Sequence, residues 1–321
     1  MQKLVSVIIP CYNAQDWIAQ TIDSCLQQTY ARVEVIVVDD CSTDQSPEIL
    51  QQYSDRICYV RQPCNLGCNA ARNRGFELAG GDYIQWLDAD DLLRPEKIAH
   101  QVRFLEETDH DAVYGDWQAL YHYADGSTRL SRIMESGAQS DLLEALLADW
   151  WTAVASLLYR RSLLERVPRW NEQHRNGIER PYMLALAMAG AKIGYQPGCY
   201  SIYRRHQASV SASSPLRTIE NSQWVVDAAY EELEAIGRLT PAYRYAIATS
   251  YFKLSRQVLR LDRALHHQLL QKALTIAPDY QSRIDPALYN LVQRTIGFRR
   301  TEQLVTVYRL LRRQQWVASE F

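Results

Sequence analysis

Two runs near the start of the chain, Leu4–Ile9 and Val33–Val38, are almost continuously apolar and rich in β-branched residues. Neither has enough polar residues to give a strand a wet face. Such runs belong to strands buried on both faces, which requires a sheet covered by helices on each side. The intervening segments carry the helical period instead. Trp17, Ile18, Ile22, Cys25 and Leu26 form one apolar stripe, read here as core packing, and Ile49, Leu50 and Tyr53 form another. The alternation continues with a strand at Ile57–Val60, a helix at Ala70–Ala79, a strand after Asp82, a helix at Pro95–Glu107 and a strand at Ala112–Tyr114. Strands alternating with helices predict a mainly parallel α/β sheet with crossover helices. Pro10 is read as ending the first strand, and Asn13 as capping the helix that follows.

Sheets of this kind gather ligands at the carboxyl ends of their strands. Three polar groups fall there: Pro10-Cys11-Tyr12-Asn13, Asp39-Asp40, and Asp88-Ala89-Asp90-Asp91. The last ends an apolar strand, Tyr83, Ile84, Trp86 and Leu87. A buried strand ending in carboxylates is costly unless a cation or hydrogen-bond donors meet them. Hard divalent ions prefer such oxygen ligands. An acidic turn with Asp91 near a helix N-terminus would give the same local sequence. Several carboxylates in one mouth repel one another, which adds weight to a metal-assisted site.

Further along, Asp125-Gly126-Ser127 marks a hairpin turn, Leu142–Ala148 a short helix, and Ala153–Tyr159 a strand. Trp150-Trp151 is either core or a platform for a sugar ring, core being the ordinary fate of such a pair. Arg180-Pro181 precedes a helix at Met183–Ala189, and Lys192–Tyr195 is a last strand leading to Tyr203-Arg204-Arg205-His206. Beyond Ser214 glycine becomes scarce and the helical period dominates. The expected organisation is therefore 1–214, with a nucleotide-binding part at 1–115 and an acceptor side at 116–214, followed by a helical region at 215–321. A net charge of −2 gives no footprint for nucleic acid. No run of 18 apolar residues spans a membrane, and the first ten residues lack a signal-peptide core. A cytoplasmic location is the expectation. The seven cysteines are scattered and read as reduced thiols. Near the C-terminus, Arg294, Arg299, Arg300, Arg309, Arg312 and Arg313 accumulate beside Leu304, Val305, Tyr308, Leu311 and Trp316. That helix either docks on the helical region or lies on the anionic inner face of a membrane.

The motifs Val5–Asn13, Val37–Asp44, Asn65-Leu66-Gly67 with Ala71–Gly75, and Gly80–Ile84 with Leu87–Asp91 occur in an order and spacing that resembles family-2 glycosyltransferases, over roughly residues 4–210. The resemblance implies the type A glycosyltransferase fold, a nucleotide-diphosphate sugar donor, a divalent cation (manganese or magnesium) and inversion at the anomeric carbon. It implies a hexosyl- or N-acetylhexosaminyl-transferase acting on a saccharide or lipid-linked acceptor in polysaccharide or glycolipid synthesis. Carried over to this chain, Asp40 contacts the donor base with Asp39 beside it, and Pro10, Tyr12 and Asn13 line the nucleotide pocket. Arg72 holds the nucleotide or diphosphate. Asp88 and Asp90 form the Asp-x-Asp pair, Asp90 on the metal and Asp88 toward the ribose or the metal's water. Arg204 and His206 lie near the diphosphate or metal, and for His206 an ordinary structural histidine is the other reading.

One motif departs from the family. Where the family has Glu-Asp and an aromatic, this chain has Ile178-Glu179-Arg180-Pro181-Tyr182, with Arg180 in the place of the expected base. Glu179 is then the candidate base, Glu172 an alternative, and a cap or ion pair in the helix's first turn is the plainer role for Glu179. Two further readings stay open. A non-catalytic nucleotide-sugar-binding relative would account for Arg180. A sugar-phosphate nucleotidyltransferase would also use carboxylates and metal, but Pro10-Cys11-Tyr12-Asn13 lacks its Gly-rich phosphate loop.

Overall fold

The computed structural model describes residues 2–174, 179–206, 215–283 and 287–311. Two compact units emerge, Met1–Leu146 with Trp150–Ser213, and Leu147–Asp149 with Ser214–Phe321.

The first unit is an α/β sheet. Strands β1 (Val5–Cys11), β2 (Val33–Asp39), β3 (Cys58–Arg61) and β4 (Tyr83–Trp86) run parallel in the order β3-β2-β1-β4. Every residue of β1 and β4 is buried, as their apolar sequences require. Helices α1 (Ile18–Leu26), α2 (Ser46–Gln51) and α3 (Cys68–Leu78) make the crossovers. At Gly75 on α3 a Cβ would sit 2.3 Å from Ile8 Cγ2, so glycine is what lets α3 lie close on β1.

Beyond β4 the sheet becomes mixed. The short β5 (Leu92–Leu93) precedes α4 (Lys97–Glu107), then β6 (Ala112–His122) and β7 (Thr128–Leu130) form the hairpin expected at Asp125-Gly126-Ser127. The helix α5 (Leu142–Leu147) leads to a 3-10 turn (Val154–Ser156), β8 (Leu157–Arg160), α6 (Arg161–Leu164), α7 (Glu179–Met188) and β9 (Ile193–Arg205). β8 pairs antiparallel with both β4 and β6, while the long β9 runs parallel to β6 and antiparallel to β5. The last strand is thus far longer than Lys192–Tyr195, because β6 offers it a partner to Tyr121.

Two local expectations change. β1 continues through Pro10 to Cys11, since β4 stops pairing with it at Ile8↔Trp86 and a missing N–H beyond that point deprives β4 of nothing. Asn13, at φ 48°, caps no helix; α1 begins only at Ile18.

In the second unit, α8 (Pro215–Ala235), α9 (Pro241–Val258), α10 (Arg263–Ile276), α11 (Ala287–Ile296) and α12 (Phe298–Leu311) follow one another. α9 and α10 start at side-chain caps, Thr240 and Asp262. α11 and α12 have an unusual distribution. Gln293, Thr301 and Glu302 are buried, with Glu302 paired to Arg256, while Leu288 is 72% exposed and Leu291, Leu304 and Val307 also face solvent. Pro286 and residues 312–321, with Arg312, Arg313 and Trp316, lie outside the described residues, as do the side chains of Tyr308, Arg309 and Leu311. Among the described residues no helix is long and apolar enough to cross a membrane.

Candidate active site at the carboxyl ends of the strands

The ends of β1 and β2 are tied into one rim. Asn13 Oδ1 accepts from the Thr43 N–H at 2.8 Å, while the Asn13 and Ala14 N–H groups donate to the Ser42 and Ser46 hydroxyls. Pro10 is buried beneath this rim, and the Tyr12 ring stands out from it. Asn13 therefore builds the mouth by joining two loops.

The carboxylates at the mouth are met by donors and cations from the fold, Asp88 and Glu179 sharing one arginine. Asp39 is fully buried, accepts from the Ser42 N–H at 2.9 Å and lies 3.5 Å from the Arg61 guanidinium. Asp40 accepts from Gln62 Nε2, Leu66 N–H and Gly67 N–H, each at 2.7 Å. It thereby anchors the Asn65-Leu66-Gly67 turn, with three of about four lone-pair positions used. Asp91 is buried and takes the Arg204 backbone N–H at 2.9 Å, so it fixes the end of β9 instead of facing a ligand. Burial, and then the neighbouring Asp90 and Asp88, push its carboxyl well above the usual range.

Arg72, 1% exposed on α3, reaches Asp88 at 2.7 Å and Glu179 at 3.3 Å, with its guanidinium 4.3 Å over the Trp170 ring. It thus joins the strand end that carries the Asp-x-Asp pair to the first turn of α7. Burial raises the Asp88 carboxyl, Arg72 opposes it, and Asp90 adds to the rise. Burial likewise raises Glu179, with Arg72 opposing and Asp88 adding. Two flanking asparagines complete the device. Asn69 Nδ2 donates to the Asn171 and His174 carbonyls, and Asn73 Nδ2 donates to the Trp170 carbonyl and the Glu172 carboxylate. Sequence reasoning missed Asn69, Asn73 and Trp170. For the asparagines the available signal was their spacing on α3, with Arg72 between them; Trp170, in a loop, had none. Arg180 turns away from this group, its Nε donating to the Leu146 carbonyl at the end of α5, and Ile178 lies outside the described residues.

The Asp-x-Asp residues part company. Asp90 Oδ2 lies 3.0 Å from His206 Nε2, away from Asp88's arginine. His206 stacks on Trp17 at 4.7 Å, and Arg204 lies over the Trp17 ring at 5.1 Å. Trp17 is accordingly half-buried, a wall of the site and not the core residue its place in the apolar stripe implied. Arg204 is itself 1% exposed; one nitrogen meets Gln20, while Nε and Nη1 are buried with no hydrogen-bond partner. Among the described residues no three His, Cys, Asp or Glu side chains converge as a preformed metal cage.

A parallel sheet with polar and acidic residues gathered at its strand ends, continued by a mixed half whose flanking segments carry Glu179 and His206, has the type A glycosyltransferase architecture. The glycosyl transferase family 2 profile matches residues 6–207, and the chain belongs to that family. It is 28% identical over 239 residues to glycosyltransferase GlyG of Streptococcus pneumoniae, covering 71% of this chain and 77% of GlyG. It is 46% identical over 109 residues to the putative teichuronic acid biosynthesis glycosyltransferase TuaG of Bacillus subtilis, over 33% of this chain and 43% of TuaG. Several curated relatives are thus matched over only a third to two thirds of their length. Among solved structures, Staphylococcus aureus TarS 1–349 superposes with a TM-score of 0.62 at 20% identity, over 97% of this chain and 93% of that one; the same protein is known in complex with UDP-GlcNAc. The mannosyltransferase PcManGT from Pyrobaculum calidifontis, in complex with GDP-Man and Mn2+, gives a TM-score of 0.54 at 19% identity, over 97% of this chain and 86% of that one.

Proposed function

We propose that the protein transfers a sugar from a nucleotide-diphosphate donor to an acceptor hydroxyl, with inversion. The observation that carries this reading is Arg204: a buried guanidinium with two unpartnered nitrogens, beside Asp90 and His206, is a place for an anion. A diphosphate at the mouth of this sheet supplies that anion. Pro10, Tyr12, Asn13, Asp39 and Asp40 would then form the nucleotide end of the site, through the rim they build.

A divalent ion fits the donor set when the substrate completes it. Asp90 and His206 offer one oxygen and one nitrogen, and ions of this class commonly take their remaining ligands from phosphate and water. Imidazole in the set favours manganese over magnesium. Such an ion supplies charge neutralisation on the leaving diphosphate.

The chain's own residues do the rest. Glu179 accepts the proton of the acceptor hydroxyl as its oxygen bonds to the anomeric carbon. The bond from that carbon to the diphosphate oxygen breaks on the opposite face, which inverts the centre, and the negative charge leaves with the diphosphate toward Arg204. Holding a base against a donor site lowers the barrier by positioning, and Arg72 does so by bridging Asp88 and Glu179. The same ion pair opposes the rise of the Glu179 carboxyl, which, with Arg180 in the place of the expected base, favours a non-catalytic nucleotide-sugar binder. Polysaccharide or glycolipid synthesis at the inner membrane face is the setting we propose, with α11 and α12 presenting Leu288, Leu291, Leu304 and Val307 beside Arg294, Arg299 and Arg300 to anionic lipid.

Incubation with a panel of nucleotide sugars, with and without manganese, tests the reading. Release of nucleoside diphosphate with sugar on an acceptor supports it, and Arg204→Met should weaken donor binding at least about tenfold, as loss of a charge-assisted contact does. Released pyrophosphate, or nucleotide-sugar binding without any turnover, would reject it in favour of the alternatives.

A further inference from the structure

The two tryptophans of the Trp150-Trp151 pair have different fates. Trp150 is half-buried, packs edge-on against Tyr114 at 5.3 Å and donates its indole N–H to the Ser136 carbonyl. Trp151 is 47% exposed. Its ring does not hang loose: it lies on Trp117 at 4.9 Å and against Tyr203 at 6.2 Å, while Trp117 and Tyr203 meet edge-on at 5.9 Å. The next residue, Thr152, is pinned through hydroxyl contacts to Ser136 and Ser156. An indole held this firmly with half its surface in water is pre-organised for a flat partner.

The surroundings define that partner. On β6, Trp117, Ala119 and Tyr121 share one face; in the parallel register Tyr203 lies opposite Ala119 and Arg205 opposite Tyr121. Arg205 lies 5.7 Å over Tyr203, and Arg129, on β7 opposite Tyr121, lies 5.8 Å over that ring. Among the described residues neither arginine is in an ion pair. The face therefore alternates rings with free positive charge. Arg204 and His206 alternate with Tyr203 and Arg205 and so project from the other face of the same strand end, where from Tyr203 to His206 the chain advances only about 10 Å. An oligosaccharide lying across the strand end passes from one face to the other.

We infer that Trp151, bedded on Trp117 and Tyr203, is the stacking platform for an acidic oligosaccharide acceptor, whose carboxylate or phosphate groups meet Arg205 and Arg129 while its terminal hydroxyl enters the site. The inference rests on the glycosyltransferase reading for the word acceptor, but the binding it requires is measurable without turnover.

Calorimetric titration of the full chain with tetragalacturonate and with neutral maltotetraose tests it. The acidic tetramer binds more tightly than the neutral one. Trp151→Ala weakens it at least about tenfold, as loss of a buried-contact tryptophan does. Trp151→Phe, which keeps a ring and guards against a folding artefact, stays close to wild type. Arg205→Met removes the preference for the acidic tetramer. Equal binding by wild type and Trp151→Ala, or no binding of either tetramer by wild type up to about 10 mM, overturns the proposal. Thermal stabilisation by UDP or GDP with manganese is measured in parallel. It is retained in Trp151→Ala; its absence from wild type would remove the donor reading and leave the oligosaccharide result standing on its own.

Discussion

Replacing Arg72 by methionine keeps an unbranched stem of similar length but removes the charge shared by Asp88 and Glu179. The two carboxylates then face each other without the guanidinium that lies 2.7 and 3.3 Å from them. Breaking a fully buried pair costs about 3–5 kcal/mol because a charge is stranded. Here Arg72 is inside, but the Asp88 and Glu179 side chains are 28% and 37% exposed, so water absorbs part of the loss. Adding back the lost cation–π contact with Trp170, about 1 kcal/mol, leaves a net cost of about 3 kcal/mol. For a unit of this size that lowers the melting midpoint by about 6–12 °C. The pH dependence has a definite sign. Without Arg72, both carboxyl groups stay protonated to higher pH in the folded chain than in the unfolded one. The folded state then binds more protons, and the variant's stability is best in acid and falls as pH rises from about 4 toward 7. Differential scanning calorimetry of Arg72→Met and of Arg72→Met with Asp88→Asn across that range is the assay. The double variant should recover part of the loss, because one of the stranded charges is gone. A midpoint drop below about 2 °C, or a double variant no more stable than the single, would refute the reasoning.

Glu179→Gln should cut turnover by roughly 100-fold with nucleotide stabilisation unchanged; because burial and Asp88, against the opposing Arg72, hold the Glu179 carboxyl above the ordinary glutamate range, the wild-type rate should rise with pH on a limb displaced upward from that range, which the variant lacks. Retained turnover would place the base elsewhere, with Glu172 next to be tried. Asp90→Ala should abolish manganese-dependent thermal stabilisation by nucleoside diphosphate, and undiminished activity of that variant under complete chelation would sink the metal assignment. Leu288→Glu with Leu291→Glu should abolish cosedimentation with anionic liposomes at low salt while leaving nucleotide-dependent stabilisation intact; wild type that stays in the supernatant would show that this face has another role.

How far the sequence could be read differs between backbone and side chains. Val5 to Ile9 and Val33 to Val38 could only be strands buried on both faces, and the sheet follows from them with the covering helices between. The misread positions are those where a neighbour outweighed local preference. Pro10 stays in β1 because β4 has already ended beside it. β9 extends to Arg205 because β6 continues alongside it, a pairing between segments 80 residues apart that no local pattern contains. Lys97 begins α4 with its ammonium buried against Gln85 and the Leu157 carbonyl, a position its charge argues against until those two acceptors are in place.

At the site, composition revealed the charges but not their pairing. Four motifs placed Asp39, Asp40, Asp88, Asp90 and Asp91 at one mouth, and their oxygen-ligand character, the family resemblance and charge repulsion argued for an added cation. The fold also supplies Arg61 to Asp39, backbone donors to Asp40 and Asp91, and Arg72 to Asp88, each from a segment distant in sequence. Arg204, beside Asp90, keeps two buried nitrogens, Nε and Nη1, without a hydrogen-bond partner. In the function we propose, the donor's diphosphate meets those nitrogens, and a divalent ion arriving with it would be held by Asp90 and His206, so that anion and cation enter the mouth together.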